Sequence, residues 1–133
     1  MKVGISRSLL EQIMSLAAAD PREVCGLLLG EPGRITEMRP ATNVAAEPAR
    51  QFEIDPATLF AAHKAARGGG PAILGHYHSH PSGHPEPSGT DVASAVPDGR
   101  LWLILGGGEA RLWTAGAAEG GGVSFTGAML DIM

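Results

Sequence analysis

The stretch AILGHYHSHP, residues 72–81, is an apolar segment that runs directly into three histidines. Its apolar start predicts a strand, and side chains alternate between the two faces of a strand. His78 and His80 are therefore predicted to point the same way, with Cα atoms roughly 6.6 Å apart at about 3.3 Å of rise per residue. Two imidazole rings at that spacing can converge on one metal ion.

A third ligand has to come from another part of the chain. Asp91 follows His80 by eleven residues and stands at the start of a predicted short helix, residues 91–96. Two histidines and one carboxylate leave one tetrahedral position open for water, which is typical of catalytic rather than structural zinc sites. The same three ligands also form the facial triad of non-haem Fe(II) enzymes, so the ligand set leaves the metal open.

Hydrolysis at such a site also needs a general base, and Glu23 is the best candidate. A nearby carboxylate can take the proton of the attacking water and deliver it to the leaving amine. Glu23 immediately precedes the apolar run VCGLLLG, residues 24–30. That run predicts a buried strand, which would hold the backbone of Glu23 in place.

Together these residues resemble the JAMM metalloprotease family, also called MPN or JAB. The family pattern is an upstream glutamate, then His-Ser/Thr-His-Pro, six residues, Ser, two residues and Asp. This chain fills every position with Glu23, His78-Ser79-His80-Pro81, Ser88 and Asp91. The flanks PREVCGLLLG, at 21–30, and Asn43 to FEID, at 52–55, also resemble the prokaryotic members. The resemblance therefore covers nearly the whole chain.

The resemblance implies a role for each motif residue. His78, His80 and Asp91 would hold Zn²⁺, Glu23 would act as the general base that activates a zinc-bound water, and Ser88 would stabilise the tetrahedral oxyanion. It also implies an α/β fold with a mixed β-sheet flanked by helices, similar to the cytidine deaminase fold, in a single domain over residues 1–133. 

The implied activity is hydrolysis of a peptide or isopeptide bond at the C-terminal region of a ubiquitin-like or sulfur-carrier β-grasp protein. The small prokaryotic members resemble proteases that trim sulfur carriers beyond their Gly-Gly end. Eukaryotic deubiquitinating members carry insertions that clamp ubiquitin. Here only nine residues, 92–100, separate Asp91 from the next predicted strand. That spacing favours a carrier protein over ubiquitin itself.

The remaining pattern predicts alternating helices and strands. Ser8 and Glu11 have the spacing of a capping box for a first helix that ends at Asp20-Pro21. Asp55-Pro56 predicts the start of a second helix, which ends at three glycines. The predicted strands are 24–30, 34–40, 51–54, 72–77, 101–105, 110–114 and an edge strand at 123–125.

Composition narrows the class of protein. Of 133 residues, 44% are hydrophobic and 18% charged, which is typical of a globular protein. The net charge of −4 argues against nucleic acid as the main partner. A lone cysteine excludes a disulfide framework, and the apolar runs are too short for a membrane span or signal peptide. We therefore expect a cytoplasmic protein, and its short exposed strands are compatible with a homodimer.

Several residues near the motif also have simpler interpretations. Ser88 and Asp91 have the spacing of a helix capping box, which is compatible with metal ligation. His76 lies on the strand face of the other two histidines and either packs behind them or provides a further ligand. Cys25 is expected to be a small buried hydrophobe rather than a nucleophile. In the loop 81–89, His84 is expected to be exposed or to contact substrate.

Two other functions remain open beside the non-haem iron enzyme. A non-catalytic MPN-type scaffold for protein binding would not need the intact set of ligands and base. A DNA-repair-associated branch of the same superfamily shares His-Pro-Ser-Gly after the second histidine. That branch usually has Asn where this chain has Ser79, and the acidic net charge also disfavours it.

Overall fold

The structure is a computed structural model that describes residues 1–81 and 83–133. Ser82, which belongs to the predicted loop 81–89, lies outside the described residues. Within the described ranges the elements are β1 (Lys2–Ile5), α1 (Arg7–Ala18), β2 (Cys25–Glu31), β3 (Arg34–Ala41), α2 (Pro56–Arg67), β4 (Ala72–Ser79), α3 (Gly89–Ser94), β5 (Leu101–Gly106), β6 (Glu109–Ala117) and β7 (Val123–Ile132).

The strands form one mixed sheet in the order β1-β3-β2-β4-β5-β6-β7, which closes into a barrel where β1 pairs with β7. β4 lies between β2, to which it is antiparallel, and β5, to which it is parallel. The mixed α/β architecture predicted from the sequence is confirmed. Closure of the sheet goes beyond that prediction, because it depends on pairing between the two ends of the chain.

The two faces of β4 serve different purposes. Tyr77 points to the inner face, where it joins the largest hydrophobic cluster together with Leu103 of β5 and Ile13 of α1. His76 and His78 lie on the opposite face, against the ring of Trp102. The alternation of a strand therefore separates the core from the histidines by a single residue step.

The helices begin and end close to the predicted positions. α1 is capped by Ser6, whose side chain accepts a hydrogen bond from the Leu9 N–H at 3.1 Å. The capping box predicted for Ser8 is wrong because Ser8 already lies inside the helix. Asp55 caps α2 as predicted, with Pro56 as the first helical residue. Among the described helices, none is both long and apolar enough to cross a bilayer.

The strands differ from the prediction in three places. The sequence does not predict β1, because a strand of only four residues that include Gly4 has too short a pattern. β7 is a ten-residue strand rather than an edge strand over 123–125, because its first half pairs with β6 and its second half with β1. The strand predicted over 51–54 is wrong. Only an isolated bridge between Asn43 and Ile54 forms there. The side chain of Asn43 instead forms hydrogen bonds with the Gln51 carbonyl and the Glu53 N–H.

Candidate metal centre and active site

Three side chains converge at the end of β4. The Nε2 atoms of His78 and His80 lie 3.2 Å apart. A carboxylate oxygen of Asp91 lies 3.0 Å from the Nε2 atom of His80 and 3.3 Å from that of His78. The structure therefore brings together the three residues that the sequence motif singles out as ligands.

These distances fit a small coordination tetrahedron. With metal–ligand bonds of about 2.0–2.1 Å, two ligand atoms of a tetrahedral zinc ion lie roughly 3.3 Å apart. Two imidazole nitrogens and a carboxylate oxygen are also donors that a divalent transition metal accepts. His78 and Asp91 are almost fully buried, with 0% and 3% of their surface exposed. Such a dense group of lone pairs away from water fits a bound cation.

Asp91 is presented by the first turn of α3. Its backbone N–H donates to Ser88 Oγ at 3.1 Å, and the Ser88 N–H donates to Asp91 Oδ2 at 2.9 Å. The predicted capping box is confirmed. Burial raises the pKa of Asp91, but hydrogen bonds with His78 and His80 outweigh that effect and hold it well below its usual range. The carboxylate is therefore ionised as well as fixed in direction.

His80 is oriented by the loop that follows it. Its Nδ1 atom lies 2.8 Å from the carbonyl oxygen of His84, and because a carbonyl can only accept, Nδ1 carries the proton. The Nε2 atom then faces Asp91. The hydrogen bond with Asp91 raises the pKa of His80. The negative charge that stabilises a proton at this position would also stabilise a metal ion. The side chain of His84 is exposed, so its contribution comes from the backbone.

His78 is held by aromatic rings. Phe52 stacks on its imidazole with ring centroids 4.2 Å apart and an interplanar angle of 17°. His76 packs behind it, between Phe52 and Trp102, at centroid distances of 5.0 and 4.4 Å. Desolvation lowers the pKa of His76 to about 3, so its ring is neutral. Of the two interpretations open for His76, the structure favours packing behind the site.

Glu23 lies close to His78 and His80, two residues before the first residue of β2. One of its carboxylate oxygens lies within 4.8 Å of their ring nitrogens, yet it forms no hydrogen bond with either ring in the described part of the chain. Its surface is only 7% exposed. Desolvation raises its pKa to about 7, opposed by the charge of His80. Its carboxylate is thus close enough to reach the metal centre through one water molecule.

A cleft of about 420 Å³ opens at this point and is lined by Glu23, His80, Arg50, Pro87 and Ser88. The loop on one side is held against the barrel. The indole N–H of Trp113 donates to the carbonyl oxygen of Pro85 at 3.1 Å, and Arg111 lies 3.5 Å from Glu86.

Gly106 permits this close approach. A Cβ atom at Gly106 would lie only 2.8 Å from the carbonyl oxygen of Gly83 and 2.9 Å from the carbonyl carbon of His84. The backbone that orients His80 therefore rests directly on the end of β5.

Cys25 takes no part in the cleft. It is buried in β2, and desolvation raises the pKa of its thiol to about 11. A thiol with that pKa is a poor nucleophile at neutral pH. The expectation of a small buried hydrophobe is confirmed, and the alternative of a cysteine nucleophile is not supported by the structure.

Sequence reasoning missed the contributions of Phe52 and Trp113. Each contacts a residue that is distant along the chain. Phe52 stacks on His78, and Trp113 donates to Pro85, 28 residues away. Phe52 lies in the FEID segment noted for its resemblance, but nothing in its spacing indicates a stack on His78. The carbonyl of His84 is a backbone group, so residue type carries no signal for it.

Comparison with known proteins agrees with this geometry. The family of prokaryotic homologs of the JAB domain matches residues 6–116. A desampylase of Haloferax volcanii is 39% identical over 100 residues, which cover 73% of this chain and 72% of that protein.

Solved structures show the same fold. A protein of Desulfitobacterium hafniense, determined in solution, superposes with a TM-score of 0.78 at 26% identity, over 98% of this chain and 94% of the other. A JAB1/MPN domain protein of Archaeoglobus fulgidus gives a TM-score of 0.61 at 20% identity, covering 99% and 98% of the two chains. The chain belongs to the prokaryotic JAB family, and its class is that of the JAMM-type metallopeptidases.

Proposed function

We propose that this protein is a zinc-dependent peptidase or isopeptidase that hydrolyses an amide bond at the C-terminal region of a ubiquitin-like or sulfur-carrier β-grasp protein. The observation that carries the proposal is the convergence of His78, His80 and Asp91 within 3.3 Å of one another, with Glu23 beside them in an open cleft. The 39% identity to a desampylase supports an amide substrate at a modifier protein.

His78, His80 and Asp91 would hold the zinc ion. Zinc bound there would polarise the substrate carbonyl and lower the pKa of a coordinated water to about 7. The aromatic stack behind His78 and the carbonyl of His84 behind His80 keep both rings aimed at the ion. Loss of an outer hydrogen bond such as that of His80 with the His84 carbonyl typically lowers metal affinity by about 10–100-fold.

Glu23 would act as the general base. Its partly desolvated carboxylate takes the proton of the attacking water and passes it to the nitrogen of the leaving amine. Burial raises the pKa of this carboxyl in the metal-free protein, which favours acceptance of a proton, and the positive charge of a bound metal ion would favour its release. Its position outside hydrogen-bond contact with the histidines leaves room for that water.

Ser88 would stabilise the oxyanion that forms on the scissile carbonyl. Its Oγ accepts the N–H of Asp91, which leaves the hydroxyl proton free to donate toward the cleft that Ser88 lines. Loss of one such donor costs about 2.7–4 kcal/mol of transition-state stabilisation in other hydrolases.

The lining of the cleft supports an extended substrate tail. Its walls come from small or rigid residues such as Ala49, Pro81 and Pro87. A Gly-Gly tail suits a cleft with this lining, because it has no side chains that could clash with these residues. Arg50, which also lines the cleft, offers a cation to backbone carbonyls or acidic groups of the same tail. The short connection between α3 and β5 leaves a free approach for a small carrier protein.

The test compares Glu23→Gln with His80→Ala on a β-grasp carrier that extends beyond its Gly-Gly sequence, followed by intact mass. We expect the wild type to release the extension and to hold about one zinc per chain by elemental mass spectrometry. Glu23→Gln should retain zinc and lose cleavage, whereas His80→Ala should lose both. Cleavage by Glu23→Gln at the wild-type rate would contradict the role of Glu23.

The same experiment addresses two of the alternatives, the non-haem iron enzyme and the scaffold. Iron in place of zinc in protein purified without added metal would favour the non-haem iron enzyme. Zinc-loaded wild type that binds the carrier and cleaves neither a peptide nor an isopeptide extension would favour the scaffold. The presence of Glu23 next to the ligands favours hydrolysis, since neither alternative requires a base there.

A further inference from the structure

We propose that Asn43 is a positioning residue for Glu23, acting through the backbone of the segment that carries this carboxylate. The inference rests on the proposed role of Glu23. Residues 20–24 belong to no helix or strand, so regular hydrogen bonding does not hold Glu23 in place. Its position has to be set by contacts from other parts of the chain.

Asn43 supplies an unusually complete set of such contacts. Its side-chain Nδ2 donates to the carbonyl oxygen of Glu23 at 2.8 Å, and also to those of Gln51 at 2.9 Å and Pro48 at 3.3 Å. Its Oδ1 accepts from the backbone N–H of Ala45 at 3.0 Å and of Glu53 at 3.1 Å. One amide therefore uses both its donor group and its acceptor.

These contacts tie Glu23 to the loop that faces it. The N–H of Glu23 donates to the carbonyl oxygen of Pro48 at 2.7 Å, so both backbone groups of this residue bond to the 43–51 region. The next residue, Val24, is held from the other side, because its N–H donates to Ser79 Oγ at 2.9 Å. Glu23 is thus clamped between the Asn43 loop and the strand that carries the histidines.

The same loop delivers other parts of the site. Arg50 lines the cleft, and Phe52 stacks on His78. Asn43 lies at the base of this loop, where Val44 and Glu53 also pair through their backbones. An amide is the side chain that this position requires, because only an amide of this length both donates to several carbonyls and accepts from two N–H groups.

Asn43→Asp tests the inference with minimal change in shape. A carboxylate keeps the two acceptor contacts and loses every donor contact, including that to Glu23. Asp55→Asn is the matched control, because Asp55 bonds to Thr42 and Thr58 at the same loop base and has no hydrogen bond to Glu23. Both variants are isosteric exchanges of amide and carboxylate.

The first readout is amide hydrogen exchange by NMR, which does not depend on catalysis. In metal-free Asn43→Asp we expect the Glu23 N–H to exchange about ten-fold faster or more, while amides in the middle of β2 keep wild-type protection. Asp55→Asn should leave the Glu23 N–H unchanged. Wild-type protection of the Glu23 N–H in folded Asn43→Asp would overturn the proposal.

The second readout is turnover of the extended carrier by zinc-loaded protein. We expect kcat of Asn43→Asp to fall about 10–100-fold at unchanged KM and zinc content, as for a misplaced catalytic group. Loss of zinc, or an equal loss in Asp55→Asn, would contradict action through Glu23.

A second variant covers the possibility that Asn43→Asp does not fold. Asn43→Ser admits water to the freed carbonyls and should show the same faster exchange and the same separation of kcat from KM. Wild-type values for both readouts would overturn the proposal. The proposed function fails separately, if Glu23→Gln cleaves normally while its own backbone amide keeps full protection.

Discussion

Two loops frame the candidate active site, and they are held in different ways. The first, residues 42–55, is organised around one internal side chain, since Asn43 bonds to backbone groups of Ala45, Pro48, Gln51 and Glu53. The second, residues 83–88, is held from outside by the barrel through Gly106, Trp113 and Arg111. Each loop supports a different part of the chemistry.

The first loop bonds to the backbone of Glu23 and carries Phe52, which stacks on His78, whereas the second loop carries the carbonyl that bonds to His80. A loop organised by one residue should be sensitive to one substitution. A loop held by several independent contacts should lose its function in steps of unequal size. The four variants that follow probe this difference, and they are arranged by decreasing effect.

Gly106→Ala should have the largest effect on the second loop. The new Cβ would lie 2.8 Å from the Gly83 carbonyl oxygen, so the loop has to move and take the His84 carbonyl away from His80. We expect zinc affinity to fall about 10–100-fold in a chelator competition titration. Gly89→Ala is the control, because a Cβ there meets nothing within 4 Å. Equal affinities for both variants would show that this contact does not orient His80.

Phe52→Leu should come next and probes the first loop. Leucine keeps an apolar side chain but loses the stacked geometry on His78, which is worth about 0.5–1.5 kcal/mol for an aromatic pair. We expect zinc affinity to fall by roughly two- to ten-fold in the same titration. Phe125→Leu offers a matched control, since Phe125 packs on Trp102 at 4.8 Å and not on His78. A larger loss of affinity in the control would assign the effect to general packing.

Trp113→Phe should have a moderate effect on the second loop. The variant removes the N–H that donates to Pro85 while keeping most of the ring. We expect a loss of about 1 kcal/mol in the free energy of unfolding by urea denaturation, and less than a five-fold change in zinc affinity. A loss of zinc affinity as large as that of Gly106→Ala would mean that the indole, and not β5, is the main anchor.

Arg111→Gln should have the smallest effect. Its ion pairs with Glu86 and Glu109, at 3.5 and 3.6 Å, join side chains that are about half exposed. Exposed pairs contribute roughly 0–1 kcal/mol. We expect urea denaturation and carrier cleavage both to stay close to the wild type, at low and at high salt. A clear salt-dependent loss of activity would show that the charge of Arg111 acts on the substrate instead.

Prediction from sequence succeeded where a residue acts within a few positions of its neighbours. The helix caps at Asp55 and Ser88 and the strands predicted at 101–105 and 110–114 depend on local spacing, and the structure contains all of them. It failed for β1 and for most of β7, because those strands are stabilised by pairing between opposite ends of the chain. The first helix cap was misplaced by two residues, since two serines compete for one position.

The sequence by itself determined which residue types are available for catalysis and how they are spaced. Alternation at the end of β4, continued into the next residue, places His78 and His80 together, and the capping box places Asp91 at a helix start. Both are short-range properties of the chain.

Only the tertiary structure decided what surrounds those residues. Three features depend on segments that are far apart in the chain. They are the desolvation of Glu23, the stack of Phe52 on His78 and the hydrogen bond from Asn43 to Glu23. The physical reason is that local spacing sets the direction of a side chain. Burial, by contrast, and with it the pKa and orientation of a catalytic group, depends on what the rest of the chain packs against it.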